Sequence, residues 1–119
     1  VKVPLRPLAV AAVLIESPRP EALAAFYRDL LGVPLLPQDL PGVAPHFACE
    51  LAGVYLAISR GPRKSSGTCV AFMVEDVEAS VRALAAAQVK FDAPARRTAL
   101  GLIVRFEDPD GNPVELYQP

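Results

Sequence analysis

Near the end of the chain a carboxylate stands alone in an apolar strand: Glu115, between Val114 and Leu116 in "NPVELYQ". A bare carboxylate in a half-buried position is costly, so it calls for a cation, a metal or a polar ligand. Arg105 in "LGLIVRFE" is the natural partner, expected on the neighbouring strand and the same face. His46, the sole histidine, is the ready base or imidazole ligand; its plainer role is a rim residue where a loop meets a strand. Cys69 offers a thiol, but a nucleophilic thiol needs a lowered pKa, and no cation adjoins it in sequence. Tyr55 and Tyr117 pair a flat ring with a hydroxyl, which suits a planar ligand or a cleft packed with its own side chains. Glu50, opposite Tyr55, adds an acidic contact for a cationic ligand.

The elements that must position these residues repeat. Leu8–Glu16 reads as an apolar strand. "SPRPEALAAFYRDLLG" reads as a helix opened by Pro20 and stopped by Gly32, with Leu23, Phe26, Tyr27 and Leu30 on the buried face. "HFACELAGVYLAISRG" gives two strands joined at Ala52-Gly53. After the polar "GPRKSSG", which lacks the spacing of a phosphate loop, the order returns. "GTCVAFMVE" is a strand, "DVEASVRALAAAQ" a helix with Asp76 as N-cap and Val77, Val81 and Leu84 inward, and the last two segments form a hairpin through the turn residues Asp108–Asn112. Weak strands are expected near Val33–Leu36 and Val89–Phe91. Two halves of one pattern suggest an internal duplication.

Strand parity then sorts the side chains. In the first half Phe47, Cys49, Leu51, Val54, Leu56 and Ile58 share an apolar face, leaving His46, Ala48, Glu50, Tyr55, Ala57 and Ser59 on the other. In the second half Ile103, Arg105, Glu115 and Tyr117 lie with Cys69, Ala71 and Met73 on the face away from the helix. Opposing these two polar faces would enclose a cleft into which Glu115 points.

The totals narrow the partners. The chain has 119 residues, 52% hydrophobic and 21% charged, with net charge -1 and a pI near 5.8, so a basic nucleic-acid face is not expected. No apolar run reaches membrane-spanning length, and the leading Leu8–Ile15 run reads as a strand rather than a secretion signal. Two cysteines, both in apolar runs, fit free thiols in a cytoplasmic protein.

"EALAAFYRDLLG", "VAFMVEDVEAS" and "FEDPDGNPVEL" resemble the first helix, second-module opening and closing turn of the vicinal oxygen chelate superfamily of glyoxalase, bleomycin-resistance and extradiol-dioxygenase domains. The resemblance spans nearly the whole chain. It implies an α+β fold of two βαβββ modules, with curved mixed sheets around a cleft and helices on the outer side. Module one would run over about 8–60, a linker over 61–67 and module two over about 68–119, all within a single domain. By that resemblance the metal-ligand positions fall on Ala12, Tyr55, Cys69 and Glu115, so the usual set is incomplete and Glu115 is at most a weak metal candidate. The expectation is therefore a metal-free small-molecule binder of the bleomycin-resistance branch, without cofactor. Its ligand would be held by Glu115, Arg105, Tyr55, Tyr117, His46, Glu50 and Cys69. The competing reading is a glyoxalase-type lyase, isomerase or dioxygenase with a divalent metal ion. The resemblance also implies a homodimer, for which the N-terminal "VPLRPL" could serve as an arm.

Overall fold

Period-two apolar alternation along the chain resolves into two four-stranded sheets, each crossed by one helix, in a computed structural model that describes residues 6–63 and 67–119. The first module runs β1 (Ala12–Ser17), α1 (Pro20–Leu31), β2 (Leu36–Gln38), β3 (His46–Leu51) and β4 (Val54–Arg60). The second repeats it as β5 (Val70–Met73), α2 (Val77–Ala86), β6 (Arg96–Thr98), β7 (Gly101–Glu107) and β8 (Pro113–Gln118). Strand order is β1-β4-β3-β2 in one sheet and β5-β8-β7-β6 in the other, the first pair parallel and the rest antiparallel. The fold is α+β, with two βαβββ modules and open sheets. Parts of the expected linker (residues 64–66) and of the expected N-terminal arm (residues 1–5) lie outside the described residues.

Local chemistry sets the ends of the elements. Pro20 fits the first turn of α1, and Gly32 closes it at φ +70, where only glycine is unstrained. Asp76 accepts the Ala79 amide at the start of α2, and the Gln118 side chain from β8 accepts the Val77 amide, so the last strand also caps the second helix. The β3–β4 hairpin turns at Ala52 (φ +49) and Gly53 (φ +88), the two left-handed positions of a tight hairpin turn. Alanine is strained there. Ala52→Asn is expected to raise stability by about 0.5–1 kcal/mol, read as a shift in the urea midpoint at unchanged m-value.

One apolar core joins both modules. Ile15, Leu23, Tyr27, Leu35, Leu56 and Ile58 of the first pack with Val77, Leu84, Val104, Phe106, Val114 and Leu116 of the second. Helix α1 bridges them: the Tyr27 ring lies 6.2 Å from Phe72, and Phe26 lies 6.4 Å from Phe106. The helix-side faces of both sheets are thereby used up.

Several boundaries differ from the sequence reading. The first strand begins at Ala12 rather than Leu8, since residues 6–11 are exposed and without regular structure. Val33 and Leu35 are buried connectors, and the strand follows them at Leu36–Gln38. In the second module the short strand is Arg96–Thr98, not Val89–Phe91; Phe91 makes only an isolated bridge to Phe106. Leu30, expected inward, is 39% exposed at the last turn of α1, and Ala24 takes the buried place.

Candidate functional site

On the faces turned away from the core, hairpin register decides which polar groups meet. Cα pairing of Glu50 with Tyr55, and of Arg105 with Glu115, puts each pair on one face, as parity requires. His46, Glu50 and Tyr55 thus line the first sheet, and Arg105, Glu115 and Tyr117 the second. On the strands β1 and β5 that edge these sheets, Leu14 is 73% exposed and Met73 70% exposed on the same faces. Opposed faces would bury both residues. The cleft expected between the sheets is therefore not closed within one chain, because the shared core turns both polar faces outward.

Arg105 grips one oxygen of its partner: Nε and Nη2 donate to Glu115 Oε2 at 3.2 and 2.6 Å, leaving Oε1 free of that fork. The guanidinium is half-exposed and the carboxylate more sheltered, so the pair orients Glu115 and contributes little net stability. Cys69, half-buried just before β5, belongs to this group. Burial first, then the Glu115 charge, pushes its thiol pKa up, against a smaller opposite effect of Arg105. A thiol so placed keeps its proton, which argues for packing over nucleophilic attack. Tyr117 pairs across to Ile103 on the same face.

The first sheet holds a polar chain of another kind. His46 Nδ1 lies 2.9 Å from the Ala44 carbonyl oxygen, and Nε2 lies 2.8 Å from the Tyr55 hydroxyl. Between them on the same face sits the Cα pair Ala48 and Ala57. These alanines are only 2% and 5% exposed although they belong to the outward face. A side chain reaching from Tyr55 to His46 must cross them, which accounts for their burial and demands small residues beneath. The link was legible in principle: hairpin arithmetic puts 46 and 55 on one face with only alanines between.

The parallel registers also correct the ligand positions inferred from resemblance. Ala12 pairs with Tyr55, whereas the residue pairing with Glu115 is Ala71, not Cys69. Ala12 and Cys69 stand equally far ahead of the helix-capping residues Arg19 and Asp76, so they remain counterparts. The first-module counterpart of Glu115 is then Ala57 instead of Tyr55. Neither Ala12 nor Ala57 can ligate. Among the described residues no three His, Cys, Asp or Glu side chains gather to hold a metal. The second-module donors fit a divalent ion poorly, since Glu115 is engaged by Arg105 and Cys69 beside a single carboxylate makes a mixed soft–hard pair.

A family model described as a glyoxalase-like domain matches residues 12–117. The chain belongs to the glyoxalase-like domain family. Among solved structures, this family member is similar to TnmS3, an antibiotic-binding protein from Streptomyces, at 26% identity and TM-score 0.74 over 97% of this chain and 98% of that one. It shares its fold with a lactoylglutathione lyase from Agrobacterium tumefaciens, at 21% identity and TM-score 0.71 over 95% of each chain. The same fold recurs in a glyoxalase/bleomycin-resistance/dioxygenase superfamily member from Sphaerobacter thermophilus, at 21% identity and TM-score 0.75 over 97% of this chain and all of that one. No curated protein matches the sequence.

Proposed function

We propose that this glyoxalase-like protein binds a small organic molecule without a metal, in a cleft that two copies of the chain complete together. The observation that carries the reading is the pair of outward polar faces, with Leu14 and Met73 exposed on their edge strands. Each face is half of a cleft: an ion pair with one free carboxylate oxygen on one, a tyrosine–histidine pair on the other. A ligand between them would meet Glu115, Arg105 and Tyr117 from one copy and Tyr55, His46 and Glu50 from the second. The likeness to an antibiotic-binding protein along nearly the full length of both chains supports a small-molecule ligand.

A second copy would cover the exposed Leu14 and Met73 side chains. Beside these faces, between β1 and β5, opens an apolar groove of about 600 Å³, lined by the core-side residues Val13, Leu56, Val70 and Phe72 together with Val10 and Met73. A second copy is its occupant in this reading. Free Cys49 and Cys69 fit a reducing cytoplasm, and among the described residues no helix is long and apolar enough to cross a membrane.

Sedimentation equilibrium combined with a thermal-shift screen against planar aromatic antibiotics tests the proposal. The expected result is a dimer at micromolar concentration whose Tm rises with at least one such compound and is unmoved by Mn, Ni or Zn. A monomer that no compound stabilises would overturn it. A stoichiometric metal whose loss on Glu115→Gln abolishes a lyase or dioxygenase activity would favour the enzyme.

A further inference from the structure

The Tyr55–His46 pair carries more than polarity. A carbonyl oxygen can only accept, so the 2.9 Å contact with Ala44 requires the proton of the neutral imidazole on Nδ1. Nε2 then bears a lone pair, and the Tyr55 hydroxyl at 2.8 Å donates to it. With its only proton committed inward, Tyr55 offers the outer face nothing but acceptor lone pairs. A ligand meeting it must be a donor.

We propose that Tyr55 and His46 form a proton-accepting relay that binds and ionises an acidic hydroxyl, that of a phenol or an enol. The ligand O–H donates to Tyr55 Oη. As that bond breaks, its proton joins Oη, the original Tyr55 O–H breaks, and its proton joins His46 Nε2. The products are a ligand phenolate or enolate, a neutral tyrosine now donating to it, and an imidazolium; no electrons change hands. An aliphatic alcohol binds without this step, because its proton is far less acidic than tyrosine's own, with its pKa of ~10. The inference rests on the cleft reading above and names the ligand class of that site.

Most of the charged groups named on this side of the sheet are carboxylates. Glu50 stands in register with Tyr55 on β3, and Glu16 from β1 shares the face, its side chain lying against Gly61. Gln38 on β2 is neutral and pairs with His46. Asp39 lines the groove beside the imidazole together with Glu21 and Arg60, which neutralise each other at 2.7 Å. The cation of helix α1, Arg28, pairs with Asp29 at 3.2 Å. Phe47 and Ala48, which follow His46 on the strand, carry no charge.

His46 is the sole histidine, so its two ring nitrogens give an unambiguous signal in ¹⁵N-detected NMR of the full chain. The free protein at neutral pH is expected to show the Nδ1–H tautomer. Saturation with 4-nitrophenol should move Nε2 to a protonated shift while the bound probe absorbs as its phenolate. Tyr55→Phe should uncouple the two: the probe binds ~10-fold more weakly, a loss of about 1.4 kcal/mol, and leaves the nitrogen unmoved. An Nε2–H tautomer, or no response of Nε2 to 4-nitrophenol up to its solubility, would overturn the relay. A dimer that takes up planar antibiotics but shows the Nε2–H tautomer sinks this inference alone. A monomer that shows the relay sinks the two-copy cleft instead.

Discussion

Asp108→Ala is expected to lower the unfolding free energy by about 3–5 kcal/mol, the largest loss of any polar substitution in the chain. Asp108 is only 5% exposed, and its carboxylate organises the β7–β8 turn. Oδ1 accepts the amides of Asp110 and Asn112, each at 2.9 Å, and Oδ2 accepts the Asn112 side-chain amide at 2.9 Å and the Tyr27 hydroxyl at 2.7 Å. Tyr27 comes from α1 in the other module and is 1% exposed, so one carboxylate holds the closing turn and joins the two halves. Removing it leaves the buried Tyr27 hydroxyl without its acceptor, at about 1–3 kcal/mol, and takes from the closing turn the carboxylate to which its amides donate. Equilibrium urea unfolding followed by far-ultraviolet circular dichroism reads the loss. A change below 1 kcal/mol would show that the turn re-forms around other acceptors.

The companion Tyr27→Phe keeps the turn bonds and is expected to cost about 1.5–3 kcal/mol near neutral pH. It also carries a pH signature. Burial, and then the Asp108 charge, hold the Tyr27 hydroxyl well above the ordinary phenol range. The unfolded chain releases this proton near pH ~10 whereas the folded chain does not. Stability from this group is therefore complete below pH ~10 and falls as pH rises further, by ~1.4 kcal/mol per unit. Cys49 and Cys69, also pushed up by burial, add a decline that begins lower but is common to both proteins. The difference between wild type and Tyr27→Phe isolates the tyrosine: it should narrow above pH 10, and a constant difference to pH 11 would refute the buried neutral phenol.

What the sequence revealed and what it withheld divide along physical lines. The hairpin registers were legible because alternation has a period of two and Ala52-Gly53 admits one tight turn, so a slip would expose Leu56 and Ile58. That same parity places Arg105 beside Glu115, as the register bears out. The short edge strand β6 was not legible, since Arg96-Arg97-Thr98 pairs on one side only and carries no apolar pattern, while Val89 and Phe91 look strand-like but serve as core plugs. Leu8 and Val10 misled in the same way: they are apolar yet exposed, and apolarity alone does not make a strand. The Tyr27–Asp108 bond was invisible for a different reason. Each residue had a sufficient local explanation, one as a helix face and one as turn chemistry, and only packing of the modules brings them together. Parity likewise shows that Leu14 and Met73 share the polar faces, but not whether anything covers them; that depends on how the modules share their core.

Gly101→Ala should be nearly as damaging as the loss of Asp108, at about 3 kcal/mol or more, although it adds a single methyl group. Gly101 opens β7 at φ +135, a conformation L side chains rarely adopt, and its missing Cβ would run into the backbone oxygen of Gln118 and the chain at Pro119. The crowding atoms are all backbone of the neighbouring Gln118–Pro119 segment, with no flexible side-chain end to swing aside. The Thr98 hydroxyl, donating to the Gly101 carbonyl, holds the β6–β7 turn against the same spot. Relief requires the end of β8 to move, and Gln118 is also the residue whose side chain caps α2 at Val77. The damage should therefore spread from the turn into the helix and appear as early amide exchange at Val77 and Ala79. Gly61→Ala is the control. There the methyl meets only the Glu16 side chain, from Cγ to the carboxylate, which is exposed and can swing toward solvent, so the cost should stay under ~1 kcal/mol. Equal losses at the two glycines in urea titrations would mean that crowding by backbone is not what excludes a side chain at Gly101.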